Sequence, residues 1–169
     1  MPTNSTTFGN ATDGYLDFSN IRVDEVGVGN YGSFIASGPF FFTTGTPGGI
    51  GWGAFQAAAI GAGSSQTLTF NYDVASNAAS QLITSFDGQY TFDQMFGTGL
   101  SATATANIYD LSGNLIGSQT FVKGGSIPTP VQFTQGQTAV HVTLTIVESI
   151  ASNASANALI DMSSLQQYL

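Results

Sequence analysis

Few side chains in this sequence can do chemistry, and their types limit which reactions are open to it. There is no cysteine and a single histidine, His141, and ten acids stand against two cations, Arg22 and Lys123. Without thiols there is no thiolate nucleophile, no thiolate-bound metal and no disulfide. His141 lies between Val140 and Val142 in a stretch that alternates apolar and polar, so the valines face a core and the imidazole faces water. A serine hydrolase would need a serine on a tight, exposed turn, and no serine sits in a G-x-S-x-G context. Paired-carboxylate glycoside hydrolysis has Asp73, Asp87, Asp93, Asp110, Glu148 and Asp161 to draw on. Of these, Asp87 and Asp110 carry turn chemistry and Asp73 points outward from its strand. No catalytic set emerges, and the reading is a non-enzymatic protein.

Binding chemistry has more to work with. Oxygen donors with almost no imidazole make calcium the metal best matched to the chain. Asp13, Asp17, Asp24 and Glu25 fall in one short window and form the candidate structural Ca²⁺ set, although no window has the EF-hand spacing. No organic cofactor is expected. For glycan binding the candidate platforms are Trp52, Tyr31 and Tyr109, with Asn, Asp and Gln side chains around them to bond hydroxyls.

Charge excludes some partners outright. Only 7% of residues are charged and the net charge is −8. Two cations cannot neutralise a phosphate backbone, so nucleic acid is excluded, and anionic membrane surfaces repel the chain. No stretch gives 18 continuous apolar residues, so no membrane-inserted helix is expected. Solubility then rests on Thr, Ser, Asn and Gln, a surface typical of secreted β proteins, and the expected location is extracellular.

These side chains must be positioned by strands. Leu68, Phe70, Tyr72 and Val74 alternate with Thr67, Thr69, Asn71 and Asp73, and Val140, Val142, Leu144 and Ile146 alternate in the same way. Ser101–Phe121 reads as a hairpin closed by Asp110-Leu-Ser-Gly-Asn114, where Asp and Asn bond their own backbone and Gly accepts positive φ. Shorter strands are expected at Tyr15–Phe18, Ile21–Val28, Gln81–Phe86, Tyr90–Phe92 and Val131–Phe133, with a last one at Asn157–Leu165. Asp87-Gly88 reads as a turn, Thr43–Gly53 as a long loop, and Gly53–Ile60 as a helical turn or two. Residues 1–12 read as a loose tail and 13–169 as one domain. Eight to ten strands with turns at short intervals predict an antiparallel β-sandwich or jelly roll, with a closed barrel as the alternative. Edge strands carrying a single lysine leave little to oppose pairing between molecules, so self-association or association with a matrix polymer is expected.

The strand Leu68-Thr-Phe-Asn-Tyr-Asp-Val74, the hairpin Ala106–Gly117, the strand Val140–Ile146 and the small, polar stretch Ala154–Tyr168 together resemble the extracellular domains of bacterial exosortase-sorted (PEP-CTERM) proteins. The resemblance covers about the last hundred residues. It implies export and a place at the cell surface or in an exopolysaccharide matrix, and it transfers no catalytic residue. The family's sorting tail (a Pro-Glu-Pro motif, an apolar helix and a basic end) and its signal peptide are not in this sequence, as expected of a mature or trimmed chain.

Overall fold

Alternation in the sequence becomes two-sidedness in the structure. A computed structural model describes residues 4–12, 14–35, 40–42, 49–52, 55–78, 80–154 and 159–169, with side chains given for all of these except 30–35, 40–42, 52, 55–60, 91–96 and 159–168. The described residues form twelve strands and no helix. In chain order these are β1 (Asn4–Thr7), β2 (Ala11–Thr12), β3 (Leu16–Ile35), β4 (Phe40–Phe42), β5 (Gly49–Trp52), β6 (Phe55–Ser76), β7 (Ile83–Phe96), β8 (Leu100–Tyr109), β9 (Leu115–Val122), β10 (Val131–Gln137), β11 (Ala139–Ile150) and β12 (Leu159–Tyr168). All pairings are antiparallel. The fold is an all-β antiparallel sandwich.

The long strands β3 and β6 pair with each other and serve both layers. Their first-layer halves run together from Leu16↔Ser76 to Val28↔Ser65, and β6 there also pairs with β11, which pairs with β8, which pairs with β9. Their other halves pair from Asn30↔Ile60 to Ile35↔Phe55, where β6 meets β12 and the second layer continues to β7 and β10. Between the halves β3 advances by two residues while β6 advances by five. The ladder breaks there, and a sandwich corner can turn at such a bulge. Gly29, Gly61 and Gly63 take positive φ at this corner, and a Cβ on Gly29 would sit 2.7 Å from Ser64 Oγ.

The inward residues of the first layer make most of the core. Leu68, Phe70, Tyr72, Val74, Val140, Val142, Leu144 and Ile146 are all at most 1% exposed, so the predicted faces are the observed ones. Ala104, Ala106 and Ile108 of β8 and Phe18, Ile21 and Val23 of β3 complete that wall, and Ile83, Phe86, Tyr90, Ile50 and Phe133 cover it from the second layer. The inward rows end in a polar group near the corner. Glu25, Gln66 and Glu148 are buried there, and Gln66 Nε2 donates to Glu25 Oε1 at 2.7 Å.

Several local expectations are corrected. Residues 55–60 extend β6 as strand, because pairing to β3 and β12 outweighs the helix propensity of an alanine-rich run. The stretch 43–53 is not all loop, since Gly49–Trp52 is β5; its remaining residues lie outside the described ones. Asp87-Gly88 is not a turn but part of β7. Gly88 is buried under Tyr90, whose hydroxyl a Cβ would strike, and its N–H is taken by Gln119. Residues 4–7 and 11–12 of the expected loose tail are β1 and β2, laid on the edge of β3. Strand pairing uses backbone groups, so their polar side chains gave no sign of it. The expected break near Asn20 is a bulge inside one continuous β3.

Gln119 ties the layers together with every polar atom employed. It is 3% exposed, accepts the Gly88 N–H at 2.7 Å, and donates to Thr129 O at 3.1 Å and Asp87 Oδ1 at 3.3 Å. Gln119→Leu would keep the volume and strand a buried N–H. The expected cost is about 1–3 kcal/mol, measured as a lower urea midpoint with unchanged slope.

Candidate functional site

Register across three strands gathers side chains that are far apart in sequence. Asp73 of β6 is opposite His141 of β11, which is opposite Tyr109 of β8, all on the outward face. His141 Nδ1 lies 2.6 Å from Asp73 Oδ1, and the His141 and Tyr109 rings are 6.3 Å apart between centroids, tilted by 40°. On the other side of Asp73 is the bulge in β3. The extra residue there, Asn20, has φ of 53°, a conformation Asn tolerates better than most, and its Nδ2 donates to Asp73 Oδ2 at 2.6 Å. Both oxygens of Asp73 are therefore bonded within the protein.

This orients the histidine. A carboxylate on Nδ1 makes that nitrogen the donor and leaves Nε2 as the acceptor of the neutral ring. Nε2 is 3.3 Å from the Thr143 hydroxyl, whose hydrogen has a closer acceptor in Asn71 Oδ1 at 3.1 Å. The Nε2 lone pair remains able to accept a hydrogen bond from a ligand. His141 borders a cleft of about 520 Å³ whose lining includes Asp73, Thr143 and Tyr109 and, from the β8–β9 turn, Asp110 and Leu111.

The turn itself is held by Asp110. Its Oδ1 accepts the N–H groups of Ser112 and Asn114 at 2.9 Å each, and its Oδ2 accepts Asn114 Nδ2 at 2.9 Å. The Asn114 side chain, then the backbone N–H groups, hold the Asp110 carboxyl below the usual carboxylate range, so it keeps its charge at mildly acidic pH. Two carboxylates thus border the cleft, and no lysine or arginine lines it.

Asp73, His141 and Thr143 stand in the order carboxylate, imidazole, hydroxyl of a hydrolase triad. The Thr143 hydroxyl is engaged by Asn71, and β11 is paired on both edges here, so its N–H groups are committed to ladders rather than to an oxyanion. What the arrangement offers a ligand is an aromatic ring, an imidazole and two carboxylates, in a lining that also includes Val74, Ala75, Leu111, Ala139 and Val140.

The other candidate residues are distributed as follows. Glu25 faces the core while Asp24 faces out, where Asp24 Oδ1 pairs with Arg22 at 2.7 Å. Asp17 is also exposed, on the far side of the bulge, and Asp13 lies outside the described residues. Among the described residues no three of Asp, Glu and His converge on a metal-sized point, so the proposed Ca²⁺ set is not assembled there. Consecutive strand residues face opposite ways, which is why Asp24 and Glu25 separate. Of the candidate platforms, Tyr109 borders the cleft. Tyr31 pairs with Ala59 and Trp52 with Leu165, both in second-layer segments, and their side chains are outside the described set. Alternation in the sequence places Asp73 and His141 on solvated faces without joining them, and it does not single out Asn20. A polar, αL-tolerant Asn between two strand-like runs was the available signal.

No family model and no curated protein matches the sequence. Among solved structures, a DUF4465 family protein from Bacteroides caccae ATCC 43185 is 12% identical, with 97% of this chain and 85% of that chain covered at a TM-score of 0.35. A likeness of that degree carries no argument about function.

Proposed function

We propose that the chain is a non-catalytic, extracellular glycan-binding domain that attaches to polysaccharide at the cell surface or in a matrix, and that the cleft beside Tyr109 is its binding site. The observation that carries this is the convergence of Tyr109, His141 and Asp73. A sugar offers an apolar ring face to stack on an aromatic and hydroxyls to bond at its edge, and the cleft supplies both complements: the Tyr109 ring and the Nε2 acceptor held in place by Asp73. The resemblance of the last hundred residues to exosortase-sorted proteins supports the location.

Tyr109→Ala is expected to weaken oligosaccharide binding at least tenfold, a loss of about 1.4 kcal/mol. Stability, read from the urea midpoint at constant slope, should change by no more than about 0.5 kcal/mol, because the ring stands on the outward face. A glycan array on wild type and variant, followed by calorimetry on the hits, makes the measurement. Equal binding by both proteins would remove the cleft from the reading.

Self-association is a second reading, favoured by one feature. The edge strand β9 carries Leu115 and Val122 at 57% and 50% exposure, and Ile127 beyond it is 86% exposed. An apolar, lysine-poor edge of this kind can pair with another strand. Light scattering of concentrated protein with and without polysaccharide tests it, and a strict monomer in both conditions would end it.

A further inference from the structure

The cleft's charge narrows the class of glycan, an inference that rests on the glycan-binding reading above. Asp73 and Asp110 border it, and the hydrogen bonds that hold Asp110 keep its carboxylate charged. No lysine or arginine lines the cleft to offset them. Of the chain's two cations, Arg22 stands on the same outward face, opposite Asn71, with its guanidinium engaged by Asp24 and Ser5, and Lys123 follows the far end of β9, about 26 Å from Leu115 at the strand rise of about 3.3 Å per residue. The whole protein carries −8. A uronate or sulfated sugar entering this cleft would meet like charge from Asp73 and Asp110. A neutral sugar would leave the field unused. A sugar bearing an ammonium would match it, with the Tyr109 face as a further site for a cation.

We infer that the ligand of this cleft is an amino sugar with a free, protonated amine, as in a wholly or partly deacetylated hexosamine polymer. The ring stacks on Tyr109, a hydroxyl donates to His141 Nε2, and the ammonium lies in the field of Asp73 and Asp110. Both carboxylates act mainly through space, since Asp73 is bonded to His141 and Asn20 and Asp110 to its own turn. The preference is therefore electrostatic and weakens with salt.

Three tetramers test it by calorimetry: glucosamine, N-acetylglucosamine and galacturonate, each at about 0.02 M and about 0.3 M salt. The glucosamine tetramer is expected to bind at least tenfold tighter than its acetylated form at low salt, with the gap closing several-fold at high salt. Galacturonate should be the weakest. Asp110→Asn keeps an oxygen acceptor for the turn and should narrow the gap alone, and the Asp73→Asn/Asp110→Asn pair should narrow it further, with urea midpoints checking that each variant folds. Equal binding of acetylated and free-amine tetramers, lost in both cases in Tyr109→Ala, would overturn the amino-sugar assignment and leave the glycan reading standing. Tightest binding by galacturonate would overturn it too. No binding of any tetramer, together with a blank glycan array, would overturn both.

Discussion

Phe70→Ala is expected to remove about 3–5 kcal/mol of stability, a large part of the roughly 5–15 kcal/mol that holds a domain folded. Phe70 is fully buried in the middle of β6, opposite Val23 on one side and Leu144 on the other. Removing its ring takes away the transfer energy of a large side chain and leaves a cavity that a wall of paired strands can collapse into only partly. Thr69→Ala, one residue away on the outward face, should change stability by no more than about 0.5 kcal/mol. Urea unfolding of the two variants measures both, read from the midpoints at constant slope. A loss below about 1 kcal/mol for Phe70→Ala, or a larger one for Thr69→Ala, would mean that the faces of β6 are reversed.

The second large effect is alkaline. Tyr72 is fully buried, and that burial, with a smaller contribution from Tyr90, pushes its hydroxyl well above the ordinary 10.0. In the unfolded chain the same tyrosine ionises near its usual value. Between the two values the folded state keeps a proton that the unfolded state has lost, so stability falls as pH rises through that window. The slope from this one group is about 1.4 kcal/mol per pH unit, starting near pH 10. Tyr72→Phe has nothing to ionise, and its stability should fall less steeply there than wild type by about that slope. Urea midpoints at a series of pH values from neutral upward make the comparison. Parallel curves for the two proteins would show that Tyr72 is not buried as described.

The core and the central hairpin were legible because a half-buried strand writes its burial into alternate residues. Tyr72 and Val142 face inward for the same reason that Asp73 and His141 face outward. The hairpin Leu100–Val122 was legible from Asp110–Asn114, whose side chains make the turn bonds that their types suggest. Other parts depend on partners that a local reading does not include. Residues 55–60 hold three alanines in a row and little alternation, and become strand because β3 and β12 flank them. Gly88 has the look of a turn residue, yet it is glycine because Tyr90 lies over it. Glu148 continues the inward row of β11 past Ile146, where the pattern gave no reason for a buried carboxylate.

The site divides along the same line. The outward placement of Tyr109, His141 and Asp73 follows from alternation, but their meeting follows from register. Asp73 and His141 are 68 residues apart, and Asn20 reaches Asp73 only because one extra residue bulges β3. Nearness in sequence misled in the opposite direction. Asp24 and Glu25 are adjacent in the chain and lie on opposite faces of one strand, so an acidic window became two separate environments.

His141 is the only histidine in the chain, so its imidazole nitrogens can be observed without ambiguity. Long-range proton–nitrogen spectra at neutral pH, recorded during titration with an oligosaccharide selected on the array, report both ring nitrogens directly. Nδ1 is expected to carry the proton in the free protein, held by Asp73, and Nε2 to shift as a ligand hydroxyl bonds to it while Nδ1 stays in place. A proton found on Nε2 in the free protein, or an imidazole indifferent to a glycan that binds, would contradict the claim that this cleft is where the domain meets its ligand.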